Sequence, residues 1–168
     1  MRLPTPLLLI ASVSFLLSAV LGCEKGLSID GTYRLVEREY PDGTRVQPPD
    51  VIGLMTFTED YRNLNIYWND GAGNPASVSY LAHYTFTDTL YREESLYHMV
   101  NDEIAGHPIY YDVPGPSGSS PVFVDGEQIE IQLPLYDEPK LIFEGDSMTA
   151  IKDGVFIDHW EKVETETE

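Results

Sequence analysis

The strongest constraint on the fold of this chain is an alternation of side-chain character with a period of two residues, which recurs along most of its length. The clearest alternating apolar sets are Leu64, Ile66 and Trp68; Val78, Tyr80, Ala82, Tyr84 and Phe86; and Ile129, Ile131 and Leu133. Successive side chains of a β-strand point to opposite faces, so each set predicts a strand with one packed face and one solvated face. No segment keeps a helical period for more than about two turns, and we therefore expect no long helix.

Turn-forming residues separate these segments, as in Pro41-Asp42-Gly43 and Asp125-Gly126. The strands predicted between the turns are 31–39, 51–58, 61–68, 77–87, 89–100, 105–112, 121–124, 127–133, 139–144, 147–152 and 155–163. So many short strands favour one all-β domain, a small antiparallel up-and-down barrel of about 8–10 strands, because closure leaves no exposed edge. Residues 113–121 are rich in Pro, Gly and Ser, which predicts a flexible loop or a lid over the barrel mouth.

The amino terminus carries the only cysteine, Cys23, after an apolar run and directly after Val20-Leu21-Gly22. This arrangement resembles a bacterial lipoprotein signal peptide with its lipobox, whose cysteine is acylated with chains such as palmitate and becomes the first residue. The alternatives are an ordinary signal peptide or a buried anchor helix. In the lipoprotein class, Glu24 rather than Asp after the cysteine favours the outer membrane over the inner membrane.

The expected organisation follows from this signal. It comprises a signal peptide over 1–22, the acylated Cys23 with a short tether over 23–30, a barrel domain over 31–163 and an acidic tail over 164–168. The expected location is the bacterial cell envelope, with the lipid bilayer as a partner through Cys23.

The charge of the chain excludes one class of partner. Without residues 1–22 the protein has 9 basic and 28 acidic side chains, a net charge near −19. Such a field repels nucleic acid. It suits a cationic envelope partner or divalent ions, and the alternative is an acidic surface that only prevents aggregation.

The domain resembles the bacterial lipocalin-like family in the order of several short motifs. The first strand, Gly31-Thr32-Tyr33-Arg34-Leu35-Val36, is similar to that family's opening strand, with Tyr33 in place of its usual Trp. The other similar segments are 53–61, 80–84, 97–98, 124–127 and 159–163. The resemblance implies a lipocalin-like barrel, with a floor formed by Gly31, Tyr33, Trp160 and Lys162 in which the Lys162 cation lies over the Tyr33 ring.

Aromatic residues at inward strand positions form the candidate ligand site. We expect an apolar pocket lined by Trp68, Tyr80, Tyr84, Phe86, Tyr97 and His98. The alternative is a barrel filled by its own side chains. The function that fits best is a noncatalytic module that binds or shields a small hydrophobic molecule. The alternatives are an envelope assembly or interaction protein with a filled barrel, and a cyclase or hydrolase that uses a histidine and a carboxylate.

No catalytic, cofactor or metal motif is evident in the sequence. His83, His98, His107 and His159 lack metal-ligand spacing, although His98 and His107 could meet across a hairpin beside Asp102 or Glu103. Three serines of the 113–121 segment, Ser117, Ser119 and Ser120, are poor nucleophile candidates in a mobile loop. We therefore expect no catalytic residue, no cofactor and no metal.

Overall fold

The computed structural model describes residues 27–164, so the expected signal peptide over 1–22, Cys23 and the last four residues lie outside the described part of the chain. It contains twelve strands and no helix in that range. The strands are β1 (Gly31–Glu39), β2 (Arg45–Val46), β3 (Val51–Phe57), β4 (Tyr61–Asn69), β5 (Pro75–Phe86), β6 (Leu90–Asp102), β7 (His107–Asp112), β8 (Ser117–Asp125), β9 (Gln128–Gln132), β10 (Lys140–Glu144), β11 (Ser147–Lys152) and β12 (Phe156–Lys162). Across residues 27–164 no helix is long and apolar enough to cross a membrane.

Ten of the strands close into one antiparallel barrel. The order around the ring is β1, β3, β4, β5, β6, β8, β9, β10, β11 and β12, and β12 pairs with β1 to close it, with Tyr33 opposite Lys162. The short β2 extends the edge beside β1, and β7 pairs with the far half of β6. The prediction of a single antiparallel barrel of eight to ten strands is confirmed.

The segment 113–121 differs from its prediction as a flexible loop. Ser117–Pro121 pair with Leu90–Glu94 of β6, so the second half of the segment is the start of β8. Because β7 pairs with the far half of β6, the first half of β6 is free to pair with the Ser and Gly residues at the start of β8. Gly118 is there because Pro134 and Leu135 pack against the strand: an added Cβ would lie 2.8 Å from Leu135 Cδ2.

One end of the barrel, which we call the closed end, is filled by side chains. Five rings with centroids 5.5–6.4 Å apart in successive contacts form what we call the aromatic cluster, namely Tyr33, Phe57, Tyr84, Tyr91 and Phe143. Ile29 is buried against them, so the chain enters the domain at this end. Edge-to-face and stacked rings of this kind pack tightly, so the interior at this end is filled by the protein's own side chains.

Three of the four residues expected at the barrel floor, Gly31, Tyr33 and Lys162, lie close together near this end. The Lys162 ammonium is 5.8 Å from the centroid of the Tyr33 ring, and the Lys162 side chain covers Gly31. Trp160 lies further inside, where its ring contacts Gly53 so closely that an added Cβ would be 2.7 Å away.

Candidate functional site

The opposite half of the barrel interior contains a cavity of about 240 Å³. Much of its wall is apolar and comes from inward positions of neighbouring strands, including Leu64, Ile66, Trp68, Val78, Val100 and Phe156. Its polar residues are Arg38, His98, Tyr136, Glu138 and Asp158. A concave apolar site with a few converging polar groups is the usual form of a small-molecule site.

The loop between β9 and β10, residues 133–139, folds into the barrel and forms part of this wall. Because β9 and β10 have only five residues each, the loop leaves the sheet at mid-height and fills the interior. Tyr136 and Asp137 adopt left-handed backbone conformations, with φ of 52° and 54°. Gln132 donates from Nε2 to the Glu138 carbonyl at 2.9 Å, which holds the loop to the strand.

Tyr136 connects this loop, which we call the inner loop, to β6. Its ring lies against the His98 ring, and its hydroxyl hydrogen bonds to Ser95 Oγ at 3.0 Å and to Asp112 Oδ2 at 2.9 Å. Burial lowers the pKa of His98 below 6.5, although the charge of Asp112 opposes this shift. His98 is therefore a neutral ring at neutral pH.

A layer of buried charge separates the cavity from the aromatic cluster. Arg62 on β4 is completely buried, and its Nε lies 3.4 Å from Glu93 Oε1 on β6. Its other side meets Glu138 of the inner loop, which accepts a hydrogen bond from Arg62 Nη2 on Oε1. The Tyr80 ring packs on the guanidinium, 4.5 Å from centroid to Cζ. One cation thus serves two carboxylates.

The pKa values in this layer reflect its burial. Burial raises the pKa of Glu138 to about 7, because the loss of solvation outweighs the favourable charge of Arg62 and the charge of Glu93 adds to it. Burial would lower the pKa of Arg62, but Glu138 and Glu93 more than reverse this, so Arg62 keeps its proton. Glu138 is consequently the group whose charge can change near neutral pH.

A second buried ion pair lies at the cavity wall. Arg38 donates to Asp158 through Nε at 2.6 Å and through Nη2 at 2.7 Å, and both side chains are almost fully buried. The guanidinium also lies over the rings of Phe156 and Trp68, at 4.2 and 5.1 Å. Arg38 thus binds Asp158 through one edge and packs against two rings, so its single positive charge is already paired within the protein.

Three buried polar atoms of the cavity-lining residues have no hydrogen-bond partner within residues 27–164. They are Trp160 Nε1, Glu138 Oε2 and His98 Nδ1. Trp160 is only 2% exposed. Unpaired buried polar atoms destabilise a fold by about 1–3 kcal/mol each, and a bound ligand would satisfy them.

The predicted site residues divide into four groups. Trp68 and His98 line the cavity. Tyr80 lies in the charge layer, whereas Tyr84 and Phe86 belong to the packed core at the closed end. Tyr97 is on the outer face, where its hydroxyl bonds to Ser79 Oγ at 2.9 Å. The predicted set is therefore spread over the whole barrel rather than gathered around one cavity.

A β-bulge explains the position of Tyr97. Leu81 pairs with Tyr97 but Ala82 pairs with Ser95, so Leu96 is an extra residue in β6. Before the bulge Tyr91, Glu93 and Ser95 are the buried positions, and after it His98 lies beside inward-facing Tyr80. The bulge exchanges Tyr97 for His98 at the cavity.

The histidines do not gather into a site. His98 pairs with Asp112 and His107 pairs with Asp102, so the two histidines lie at opposite ends of the β6–β7 hairpin. His83 stands edge-on to the exposed Tyr61 on the outer face. Within the described part of the chain no three His, Cys, Asp or Glu side chains are placed to hold a metal ion.

Sequence reasoning missed the charge layer. Arg62 continues the inward series Leu64, Ile66 and Trp68 by one step, so a charge at an inward position was a detectable signal. Glu93 likewise lies between inward Tyr91 and Ser95. Glu138 and Tyr136 had no such signal, because they reach the interior from a loop.

Comparison with known proteins gives no relative for this arrangement: no family model, no curated protein and no solved structure matches the chain.

Proposed function

We propose that this protein is a lipid-anchored envelope lipoprotein whose lipocalin-like barrel binds a small hydrophobic molecule without catalysis. The observation that carries the proposal is the cavity of about 240 Å³, whose wall is largely apolar and whose lining residues hold three polar atoms with no hydrogen-bond partner within residues 27–164. An engineered cavity of about 150 Å³ holds benzene, and drug-sized sites start near 300 Å³. The volume therefore suits a molecule of one ring with a short side chain.

The position of the cavity agrees with anchoring through Cys23. The described chain begins at the closed end, where Ile29 packs in the core, and the cavity lies in the other half of the barrel. An acylated Cys23 six residues before Ile29 would hold the closed end towards the bilayer. The ligand would then come from the aqueous side rather than from the lipid.

The two tryptophans of the chain, Trp68 and Trp160, both line the cavity, so their fluorescence reports its occupancy directly. Titration with 4-ethylphenol, a neutral one-ring probe, should change this fluorescence and give saturable heat in calorimetry. Val78→Phe fills the cavity from β5 and should abolish both signals. Ile52→Phe, the matched change on the outer face, should leave them intact. Saturation by the probe in Val78→Phe would contradict the proposal.

Anchoring has its own test. Cys23→Ala in the full precursor should leave an unprocessed protein that no longer partitions into detergent. Membrane association equal to that of the wild type would overturn the lipoprotein part of the proposal and leave the cavity untouched.

A second candidate function, docking of a cationic envelope protein, is favoured by β7. Within residues 27–164 this strand pairs only with β6, and it exposes Ile109, Tyr110 and Tyr111. An open edge with exposed aromatic residues is a common mode of strand addition. Ile109→Lys should abolish such docking in envelope cross-linking while probe binding in the cavity is retained.

A third candidate, a hydrolase or cyclase, is favoured by the presence of His98 and Glu138 at the same cavity. An acid–base enzyme would need a carboxylate that orients the imidazole. His98 Nδ1 has no hydrogen-bond partner in the described structure, and the ring is neutral at neutral pH. Mass analysis of a bound molecule after long incubation separates the two cases, since a binding module returns it unchanged.

A further inference from the structure

The charges around the cavity do not balance, and this restricts the chemistry of its ligand. In the charge layer Arg62 faces two carboxylates, Glu93 and Glu138, so ionisation of both leaves one negative charge in surplus. Arg38, the only cation among the described lining residues, is bound to Asp158 by two hydrogen bonds. An anionic ligand would thus find a surplus of negative charge and no unpaired cation among the described lining residues.

Of the two carboxylates in the charge layer, Glu138 is the one that lines the cavity. Glu138 Oε1 accepts a hydrogen bond from Arg62, whereas Glu138 Oε2 is buried without a donor in residues 27–164. A buried carboxylate oxygen can be satisfied in two ways: it takes up a proton, or it accepts a hydrogen bond from a cation. A protonated amine supplies the second.

The walls suit a cation with an apolar body. Aromatic rings of Trp68, Phe156 and Tyr136 line the cavity, and an ammonium group is attracted to the face of such rings. The buried Trp160 Nε1 can only donate a hydrogen bond, so it requires an acceptor atom on the ligand. Glu138 Oε2 therefore requires a donor on the ligand, and Trp160 Nε1 requires an acceptor. A molecule with one amine and one oxygen on a small apolar frame supplies both.

We infer that the cavity binds a small monocationic amine that also carries a hydroxyl or carbonyl oxygen, with its ammonium group at Glu138 and its oxygen near Trp160. This inference rests on the proposed function of the cavity as a small-molecule site. It adds the charge of the ligand and assigns Glu138 as the residue that recognises this charge.

Three probes of the same frame test the charge on the wild-type protein. Tyramine has an ammonium group, 4-ethylphenol lacks it, and 3-(4-hydroxyphenyl)propionate has a carboxylate instead. A charge-assisted hydrogen bond in a buried site should make tyramine bind at least about tenfold more tightly than 4-ethylphenol, and the propionate should bind most weakly. Calorimetry measures all three, and tryptophan fluorescence provides an independent signal.

Glu138→Gln tests the assigned residue. The variant should bind tyramine and 4-ethylphenol with about the same affinity, so the preference for tyramine is lost, and saturable binding of either probe shows that the cavity is still present. Glu144→Gln, the same change at an exposed position of β10, should keep the preference. If Glu138→Gln does not fold, the three-probe series on the wild type still decides the charge.

The outcomes separate this inference from the proposed function. Binding of 4-ethylphenol as tight as that of tyramine, or tighter binding of the propionate, would overturn the amine and leave the binding function in place. A preference for tyramine that survives in Glu138→Gln would overturn the role of Glu138. Failure of all three probes to bind would overturn the proposed function itself.

Discussion

The ring of Tyr136 lies over that of His98, with centroids 4.0 Å apart and an interplanar angle of 31°. This contact joins a loop to the interior face of a strand. Tyr136 has a φ of 52°, a conformation that destabilises a residue other than glycine by about 1–3 kcal/mol. The ring contact and the two hydrogen bonds of the Tyr136 hydroxyl therefore stabilise an inner loop that the backbone alone disfavours.

Tyr136→Phe should loosen the inner loop. It keeps the ring on His98 but removes the bonds to Ser95 and Asp112, and we expect a loss of about 1–2 kcal/mol of unfolding free energy. Hydrogen exchange should increase within residues 133–139. Tyr111→Phe, on the exposed face of β7, is the matched control and should change neither quantity. Unaltered exchange in Tyr136→Phe would show that the hydroxyl does not hold the loop.

Gly118→Ala tests the packing of the inner loop on β8. The new Cβ would lie 2.8 Å from Leu135 and 2.9 Å from Pro134, so the loop must shift, and we expect a loss of about 1–3 kcal/mol. Chemical denaturation measures it. Ser119→Ala, the next residue on the exposed face, should change stability by less than about 0.5 kcal/mol. Equal stability of the two variants would mean that the inner loop does not pack tightly against residues 117–121.

Glu138 should make stability fall as the pH rises from about 4.5 to about 7. Its pKa is about 7 in the folded protein and near its ordinary value of 4.5 in the unfolded chain, so the folded state holds the proton more tightly across this interval. The groups that face it are Arg62 on β4, Tyr80 on β5, and Tyr91 and Glu93 on β6. The stabilisation from the proton is complete below about pH 4.5 and is lost above about pH 7.

The measurement is the difference in unfolding free energy between the wild type and Glu138→Gln at each pH. This difference should decrease by up to about 3 kcal/mol across the interval, because the variant cannot titrate there. Glu144→Gln should show no such change. A difference that increases with pH would mean that Glu138 is ionised throughout and is stabilised by Arg62.

Asp158→Asn should be strongly destabilising. It removes the charge that faces Arg38, whose side chain is 4% exposed, and leaves a buried cation without its counter-ion. We expect a loss of about 3–5 kcal/mol. Glu161→Gln breaks the exposed pair with Arg34 and should have an effect below about 1 kcal/mol. Thermal melts of both variants provide the comparison, and equal shifts would indicate that the Arg38 site admits water.

Tyr84→Ala should destabilise the barrel rather than enlarge its cavity. Tyr84 stacks on Tyr91, contacts Phe57 edge-on and donates a hydrogen bond to the Thr58 carbonyl at 2.6 Å. Loss of such a buried ring should reduce stability by about 3–5 kcal/mol. Thr85→Ala on the exposed face is the control. An increase in 4-ethylphenol affinity in Tyr84→Ala without a change in melting temperature would place this ring in the site.

The sequence by itself determined the all-β class, most strand positions and the inward face of β4 and β5. The reason is local: a period of two assigns faces wherever a strand has one packed side, and Asp-Gly pairs mark its ends. Arg62 belongs to the same series as Leu64 and Ile66, so its burial was readable from the alternation as well.

Only the tertiary structure decided what the interior contains. The extra residue Leu96 in β6 changes which face follows it, and no composition signal marks such a bulge, so His98 rather than Tyr97 reaches the cavity. Glu138 enters from a loop whose inward path depends on the short β9 and β10 and on Gly118 of a different strand. Residues distant in sequence meet there because the barrel closes, and closure is a property of all ten strands together.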